Sequence, residues 1–120
     1  MGIARILLMG ALFSIGFAPL ARAAELIMVE EAGCIWCARW NAEISDIYPK
    51  TDEGRQAPLR RVDLNDLPAD IDFVSRPVFT PTFVLVQDGK ELGRLEGYNG
   101  DEFFWFLLNR LLENSADRIN

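Results

Sequence analysis

The chain has 120 residues, of which 50% are hydrophobic and 11% aromatic, and its formal net charge at neutral pH is −6. This composition excludes a disordered chain and gives a single domain enough apolar mass for a packed core. The acidic balance argues against nucleic acid or an anionic membrane as a partner. Because the sequence contains no histidine, the usual general base and metal ligand are missing.

Residues 1–23 have the pattern of a secretory signal peptide. Arg5 provides the positive start, residues 6–17 form the apolar run, and residues 21–23 read Ala-Arg-Ala, a small-x-small cleavage site. A transmembrane anchor or an uncleaved tether is the alternative, but the apolar run is interrupted and shorter than the ~18 residues of a span. We therefore expect cleavage, which leaves a mature domain of residues 24–120.

The signal peptide predicts export from the cytosol. Cleavage would lower Lys plus Arg from 12 to 10 against 18 Asp plus Glu, so the mature net charge would be −8. Disulfides persist outside the cytosol, and a thiol pair that works in the reduced state there needs a source of electrons.

The mature chain begins with a predicted strand, loop and helix. Leu26 to Glu30 is a short apolar run, and Gly33-Cys34-Ile35-Trp36-Cys37 follows it with the only two cysteines of the sequence. From Ile35 to Tyr48, apolar residues recur at three- and four-residue spacing, which predicts a helix with one buried face. Pro49 is expected to end this helix, and residues 50–58 are predicted to form a surface loop. The predicted buried face consists of Cys37, Trp40, Ile44 and Ile47.

Three more strands are predicted in the second half of the chain. Leu59 to Leu64 is expected to pair parallel to the first strand through a right-handed crossover. Residues 65–78 contain two prolines and predict at most a short helix. Thr82 to Gln87 and Leu92 to Glu96, joined by Asp88-Gly89, predict an antiparallel hairpin at a sheet edge.

A last helix is predicted after Asp101, the expected N-cap, and fraying is expected from Glu113 onward. Its broad apolar face should cover the sheet. We expect Trp40, Trp105 and the phenylalanines at 103, 104 and 106 to lie in the core. The order of elements predicts an α/β fold with a central four-stranded mixed sheet flanked by helices.

The spacing of the cysteines indicates a redox pair. At the start of a helix, Cys34 and Cys37 lie about one turn apart on the same face, close enough to form a disulfide. A helix N-terminus favours the thiolate, so Cys34 is the candidate nucleophile and Cys37 the candidate resolving residue. The pair would lie at the carboxyl end of the first strand, where open α/β sheets place their sites.

Three other roles remain open for the cysteines. A structural disulfide across four residues would restrain the unfolded chain by only roughly 2 kcal/mol. Two thiolates alone cannot close a four-ligand zinc shell, but they can bind copper(I), so a copper(I) carrier is an alternative. Inert core cysteines are disfavoured by their place in a turn. We expect no metal and no cofactor other than the disulfide itself.

A proline opens the third strand in Thr80-Pro81-Thr82. A cis Thr80–Pro81 bond would let the loop approach the cysteines and leave backbone groups free to pair with an extended substrate peptide. A trans proline at an edge strand is the ordinary alternative, because only ~5–6% of X–Pro bonds in folded proteins are cis.

Together these motifs resemble the thioredoxin superfamily over nearly all of the mature chain. They are the Cys-x-x-Cys after the first strand, Thr-Pro-Thr-Phe before a hairpin with Asp88-Gly89-Lys90, and Glu96-Gly97-Tyr98 before the last helix. The resemblance implies a thioredoxin-like fold, thiol–disulfide oxidoreductase activity and a cis-proline at Pro81 that faces the disulfide. It makes Thr80 and Pro81 candidate substrate-binding residues.

Shorter strings resemble the SoxS-type family of periplasmic thioredoxin-like proteins of bacterial sulfur-oxidation systems. These strings are residues 28–34, 37–40, 48–51 and 81–86. The resemblance implies a reductase that keeps the thiol of a sulfur-carrier protein usable and receives electrons from a membrane thiol transporter. A disulfide oxidase or isomerase is the alternative direction of electron flow.

The residues around the cysteines depart from thioredoxin itself. Gly33 replaces a tryptophan before the first cysteine, Ile35-Trp36 replaces Gly-Pro, and Met28 replaces a buried acid. Proton handling must therefore differ from that of thioredoxin.

Several residues near the cysteines have expected roles of their own. Ile35 and Trp36 are candidate substrate-binding residues, expected to form an apolar lip for a partner, although Trp36 can also fold onto the protein's own surface. Glu30 and Glu31 should oppose thiolate formation. Arg39 is expected to be a solvated surface charge.

Overall fold

The computed structural model describes residues 2–4, 9–16 and 24–119. The predicted cleavage site at residues 21–23 and part of the predicted apolar run lie outside these described residues. Within the described ranges, no helix has the length and apolar character needed to cross a membrane.

A four-stranded mixed sheet forms the centre of the molecule. Its strands are β1 (Glu25–Glu30), β2 (Leu59–Asp63), β3 (Thr82–Gln87) and β4 (Lys90–Glu96), arranged in the order β2-β1-β3-β4. β1 pairs parallel with β2 and antiparallel with β3, and β3 pairs antiparallel with β4. The hairpin turns at Asp88-Gly89, where both residues have positive φ, as two-residue hairpin loops require. The predicted mixed sheet and edge hairpin are confirmed.

The helix after the cysteines is shorter than predicted. α1 spans Ile35–Trp40 and continues into a π-helical turn, Asn41–Ser45, and then a 3₁₀ turn, Tyr48–Lys50. A π-helical turn holds more residues than an α-helical one, so the inward face moves by one position. Ile47 is consequently 47% exposed and Tyr48 is fully buried, so the predicted burial of Ile47 is wrong.

The predicted surface loop at residues 50–58 contains a second helix, α2 (Asp52–Gln56). Thr51 caps it, because the threonine hydroxyl oxygen accepts a hydrogen bond of 3.0 Å from the Gly54 amide. Gly54 packs directly against the backbone carbonyl of Tyr48, where any Cβ would clash. The loop prediction was wrong because a capped helix of five residues is too short to show an apolar period.

Helices cover one face of the sheet and an irregular segment covers the other. On the helical face, the ring of Trp40 lies 5.2 Å from that of Phe83 and 5.7 Å from that of Phe104. On the opposite face, Ile71 packs with the buried side chains of β1 and β3. The segment that carries Ile71 contains no helix, within the prediction of at most a short one.

The last helix, α3 (Asp101–Ile119), differs from its prediction in three ways. Asp101 is its first helical residue and not its N-cap, although the aspartate Oδ1 accepts a hydrogen bond of 2.8 Å from the Glu102 amide. The helix continues past Glu113, where fraying was expected. Phe103 and Phe106 are 61% and 57% exposed, because the apolar positions span more of the helix than one sheet can cover. The apolar side chains that this helix buries are those of Phe104, Leu108 and Leu112, and it also buries Ser115.

Candidate active site

A disulfide joins Cys34 and Cys37 at the turn between β1 and α1, with 5.2 Å between their Cα atoms. Gly33 has a φ of 77°, a conformation that favours glycine, and it turns the chain from the strand into the helix. Cys34 is the N-cap of α1, and its Sγ accepts a hydrogen bond of 3.1 Å from the Cys37 amide. Cys34 is partly exposed and Cys37 is only 4% exposed. The first sulfur is therefore the one that a partner can reach.

The Thr80–Pro81 peptide bond is cis. Thr80 is half-buried, and its hydroxyl donates a hydrogen bond of 2.8 Å to Glu31 Oε1. This contact joins the loop before β3 to the loop before Cys34 across 49 residues of sequence. Pro81 is buried, and its carbonyl accepts a hydrogen bond of 2.8 Å from the Gly97 amide.

A groove of about 640 Å³ opens beside the disulfide. Both cysteines line it, together with Glu30, Glu31 and Asp63. Arg61 is the one cationic residue among those lining this groove. Carboxylates therefore dominate one side of the disulfide.

Arg61 organises this groove, and the sequence reasoning missed it. Its guanidinium donates hydrogen bonds to Glu30 Oε2 (2.7 Å), Asn41 Oδ1 (2.8 Å) and Ser45 Oγ (2.9 Å). The guanidinium carbon also lies 5.6 Å from the centre of the Trp40 ring. Arg61 thus joins β2 to β1, to α1 and to the π-helical turn.

Met28 occupies the position at which thioredoxin has a buried acid. Met28 is fully buried, and its Sδ accepts a hydrogen bond of 3.4 Å from Arg61. Met28 and Arg61 are direct partners in the β1–β2 register. The signal that was missed is the β1–β2 register. Predicting it from the sequence would have placed Arg61 beside Met28, at the site.

The two residues between the cysteines are exposed. Ile35 is 75% exposed and Trp36 is 50% exposed, so both present apolar surface beside the disulfide. Trp36 also has a contact on its own protein, because the Arg39 guanidinium lies 5.9 Å from the centre of its ring. Trp36 is therefore exposed, as predicted for an apolar lip, and it also contacts the protein's own surface, as the alternative predicted.

Arg39 lies at the surface, as the sequence predicted, but it is paired with neighbouring side chains. Its Nε donates a hydrogen bond of 2.7 Å to Glu43 Oε1, and its guanidinium also lies 5.9 Å from the Tyr98 ring. The Tyr98 hydroxyl donates a hydrogen bond of 2.6 Å to Glu43 Oε2. Helical geometry alone missed this cluster because Tyr98 comes from the turn before α3, far away in sequence.

The contacts within this cluster change the pKa values of Glu43 and Tyr98, and both changes keep the hydrogen bonds of the cluster intact. Hydrogen bonds from Tyr98 and then Arg39 lower the pKa of Glu43 below its ordinary value. Burial, followed by the bond to Glu43, raises the pKa of Tyr98. At neutral pH the carboxylate therefore stays charged and the phenol keeps its proton.

Neither cysteine takes part in a larger ligand cluster. Across the described residues, no group of three or more Cys, Asp or Glu side chains is arranged to hold a metal ion. The absence of a metal cofactor stays a prediction.

A mixed sheet with a disulfide-bonded Cys-x-x-Cys at the start of its first helix defines a thioredoxin-like protein. No protein-family model and no curated protein matches the chain. Among solved structures, the periplasmic thioredoxin SoxS from Paracoccus pantotrophus, in its reduced form, matches with a TM-score of 0.75 and 49% sequence identity. The match covers 77% of this chain and 98% of that one. The chain therefore belongs to the thioredoxin superfamily, in the family of SoxS.

More distant thioredoxins share the fold. The thioredoxin of Fasciola hepatica matches with a TM-score of 0.52 and 18% identity, covering 73% of this chain and 80% of that one. The thioredoxin of Malassezia sympodialis matches with a TM-score of 0.50 and 16% identity, covering 75% and 76%. Family membership and the disulfide identify the protein as a thiol–disulfide oxidoreductase.

Proposed function

We propose that the protein is a periplasmic reductase that keeps the cysteine of a sulfur-carrier protein in its reduced form. The observation that carries this proposal is the arrangement of the two sulfurs, one partly exposed at the start of α1 and the other buried one turn behind it. The similarity to a periplasmic thioredoxin, SoxS, supports the location. The similarity to SoxS-type sequences supports the partner.

The reaction is an exchange of disulfide bonds. In the reduced protein, the Cys34 thiolate attacks one sulfur of the partner's disulfide, forms a mixed disulfide and releases the partner's other sulfur as a thiolate. The Cys37 thiolate then attacks Cys34, which re-forms the intramolecular disulfide and releases the second partner sulfur. Two electrons pass to the partner, and its two thiolates take up the two protons that the Cys34 and Cys37 thiols lost.

The backbone around the cysteines supports the first step. The Cys37 amide donates to Cys34 Sγ, and a hydrogen bond to a sulfur favours its charged form. The thiolate is the attacking species, so the same donor in the reduced protein would favour the form of Cys34 that attacks. No carboxylate occupies the position of Met28, so proton transfer at the site relies on other groups.

A second dithiol must restore the reduced form. A membrane thiol transporter on the periplasmic side would donate two electrons and two protons, and its own dithiol would become a disulfide. The protein then needs no metal and no organic cofactor, because the Cys34–Cys37 pair is the whole redox group.

Substrate binding is assigned to the residues around the exposed sulfur. Ile35 and Trp36 offer apolar surface to the partner, and Thr80, preceding the cis bond to Pro81, offers its backbone groups to an extended segment. Thr80 precedes the first residue of β3, so its backbone lies outside the sheet ladder.

A trapping experiment tests the proposal. The Cys37→Ser variant should accumulate a mixed disulfide through Cys34, and mass spectrometry of that adduct should identify the partner as a periplasmic sulfur carrier. The Cys34→Ser variant is the matched control and should trap nothing. Equal trapping by both variants, or none by either, would contradict the roles assigned to the two cysteines.

The reduction potential separates a reductase from an oxidase or isomerase. We expect a value nearer to the roughly −270 mV of thioredoxin than to the roughly −120 mV of a strong disulfide oxidant. Equilibration with glutathione redox buffers measures it. A strongly oxidising value would overturn the reductase assignment and leave the oxidoreductase class intact.

A further inference from the structure

Trp36 is exposed, and its ring contacts a side chain of the protein itself. Its ring is 50% exposed and belongs to α1, a helix of six residues. Among the aromatic and cation–π pairs of the described residues, Trp36 takes part in one, with the guanidinium of Arg39 5.9 Å from the ring centre. Arg39 is therefore the charged group that can orient this ring.

Arg39 is itself held between two elements of the fold. Its guanidinium lies 5.9 Å from Trp36 on one side and 5.9 Å from Tyr98 on the other. Tyr98 is only 4% exposed, and its ring meets Phe104 edge-on at 6.3 Å. Through Tyr98, the arginine is fixed to the aromatic core under α3.

Glu43 closes the cluster. One carboxylate oxygen accepts from Arg39 and the other accepts from the Tyr98 hydroxyl, at 2.7 Å and 2.6 Å. Arg39 is thus oriented by a hydrogen bond to Glu43 as well as by two rings. A side chain that is 49% exposed would otherwise sample many rotamers.

We infer that Arg39 is a positioning residue that holds Trp36 as a preformed contact surface for the partner protein. This inference rests on the proposed function and names a residue that determines how well the site accepts a protein substrate. A contact surface ordered in advance loses less conformational entropy on binding, which raises affinity without any new contact. A cation–π contact between the guanidinium and the indole is the interaction that supplies this order.

A purely structural role makes a different prediction. Arg39 and Glu43 are four residues apart, and such exposed pairs stabilise helices only weakly. If stabilisation were the whole role, loss of Arg39 would leave the orientation of Trp36 and the choice of substrate unchanged. Arg110 provides a matched control, because its guanidinium lies 5.8 Å from the ring of Phe106 on α3.

The test compares Arg39→Met with Arg110→Met in two measurements. The first is the second-order rate constant of the reduced protein with insulin, divided by that with 5,5′-dithiobis(2-nitrobenzoate), a small disulfide that needs no protein contact surface. We expect Arg39→Met to lower this ratio by about 2- to 5-fold, from the loss of one ordered side chain. Arg110→Met should leave the ratio unchanged.

The second measurement follows the indole N–H signals in ¹⁵N–¹H spectra. The Trp36 signal, identified by its loss in Trp36→Phe, should shift and sharpen in Arg39→Met, while the Trp40 and Trp105 signals stay in place. An unchanged substrate ratio or an unchanged Trp36 signal would overturn the inference. If the unsubstituted protein reduces neither disulfide, the proposed function fails instead.

Discussion

Two tryptophans of the same helical region, Trp36 and Trp40, each have an arginine over the ring. Arg39 lies 5.9 Å from Trp36 and Arg61 lies 5.6 Å from Trp40. The two rings differ in burial, because Trp36 is 50% exposed and Trp40 is fully buried. The same kind of contact thus occurs once at an exposed ring and once at a buried ring.

The difference shows how one interaction can have two consequences. Arg61 joins three elements to β2 by its hydrogen bonds and its contact with the buried Trp40 ring, so its loss should appear mainly in stability. Arg39 connects an exposed ring to the core, so its loss should appear mainly in recognition. Burial of the ring decides which consequence dominates.

The largest expected effect is the loss of the buried tryptophan. Trp40→Ala should lower the free energy of unfolding by about 3–5 kcal/mol, because it leaves a cavity among Tyr48, Phe83 and Phe104. Trp36→Ala should change it by less than about 0.5 kcal/mol, as for most exposed positions. Guanidinium chloride unfolding of the disulfide form measures both. Equal losses of unfolding free energy in the two variants would contradict the claim that Trp40 stabilises the fold and Trp36 does not.

Removal of the groove arginine should have the next largest effect. Arg61→Met should cost about 1–2 kcal/mol of unfolding free energy, because Glu30, Asn41 and Ser45 lose their donor together. Arg60→Met is the control, since Arg60 lies next to it on β2 and pairs with the exposed Asp70. That variant should lose less than about 1 kcal/mol. If Arg60→Met lost more unfolding free energy than Arg61→Met, the structural role assigned to Arg61 would be contradicted.

Trp36 itself should matter for substrates and not for folding. Trp36→Ala should slow the reaction with insulin by about fivefold relative to the small disulfide, since apolar contact area of about a few CH₂ groups is lost. Stopped-flow rates of the reduced protein with each disulfide provide the ratio. An unchanged ratio would show that the partner does not use the lip.

The smallest expected effect is a pH transition at Glu43. The carboxylate pairs with Arg39 and Tyr98, and Asp101 adds a further negative charge near both. Because the folded pKa of Glu43 is lowered from its ordinary 4.5, the cluster is complete above pH 4.5 and is lost as the pH falls through the lower folded value. The Trp36 indole signal should therefore shift only below pH 4.5, and not at all in Glu43→Gln. A shift above pH 4.5 would contradict this sign.

The sheet and the redox pair could be predicted from local patterns. Strands β1 and β3, the Asp88-Gly89 turn and the Cys-x-x-Cys spacing each depend on residues close together in sequence. Local patterns did not reveal α2, whose capping threonine is its main signal, or the π-helical turn that exposes Ile47.

The electrostatic parts of the site could not be predicted in this way. Arg61 reaches Glu30 across 31 residues, and Tyr98 reaches Glu43 across 55. Such contacts depend on strand register and on the docking of α3, which the sequence pattern left undetermined. The exposure of Phe103 and Phe106 could not be predicted either, because the apolar pattern of α3 does not determine which of its apolar residues pack on the sheet.

Selective alkylation of the reduced protein tests most directly whether Cys34 is the reactive sulfur. Brief treatment with iodoacetamide, followed by peptide mass spectrometry, should modify Cys34 well before Cys37, because the second sulfur is buried beneath the first. Faster modification of Cys37, or equal resistance of both thiols in the folded protein, would contradict the assignment of Cys34 as nucleophile.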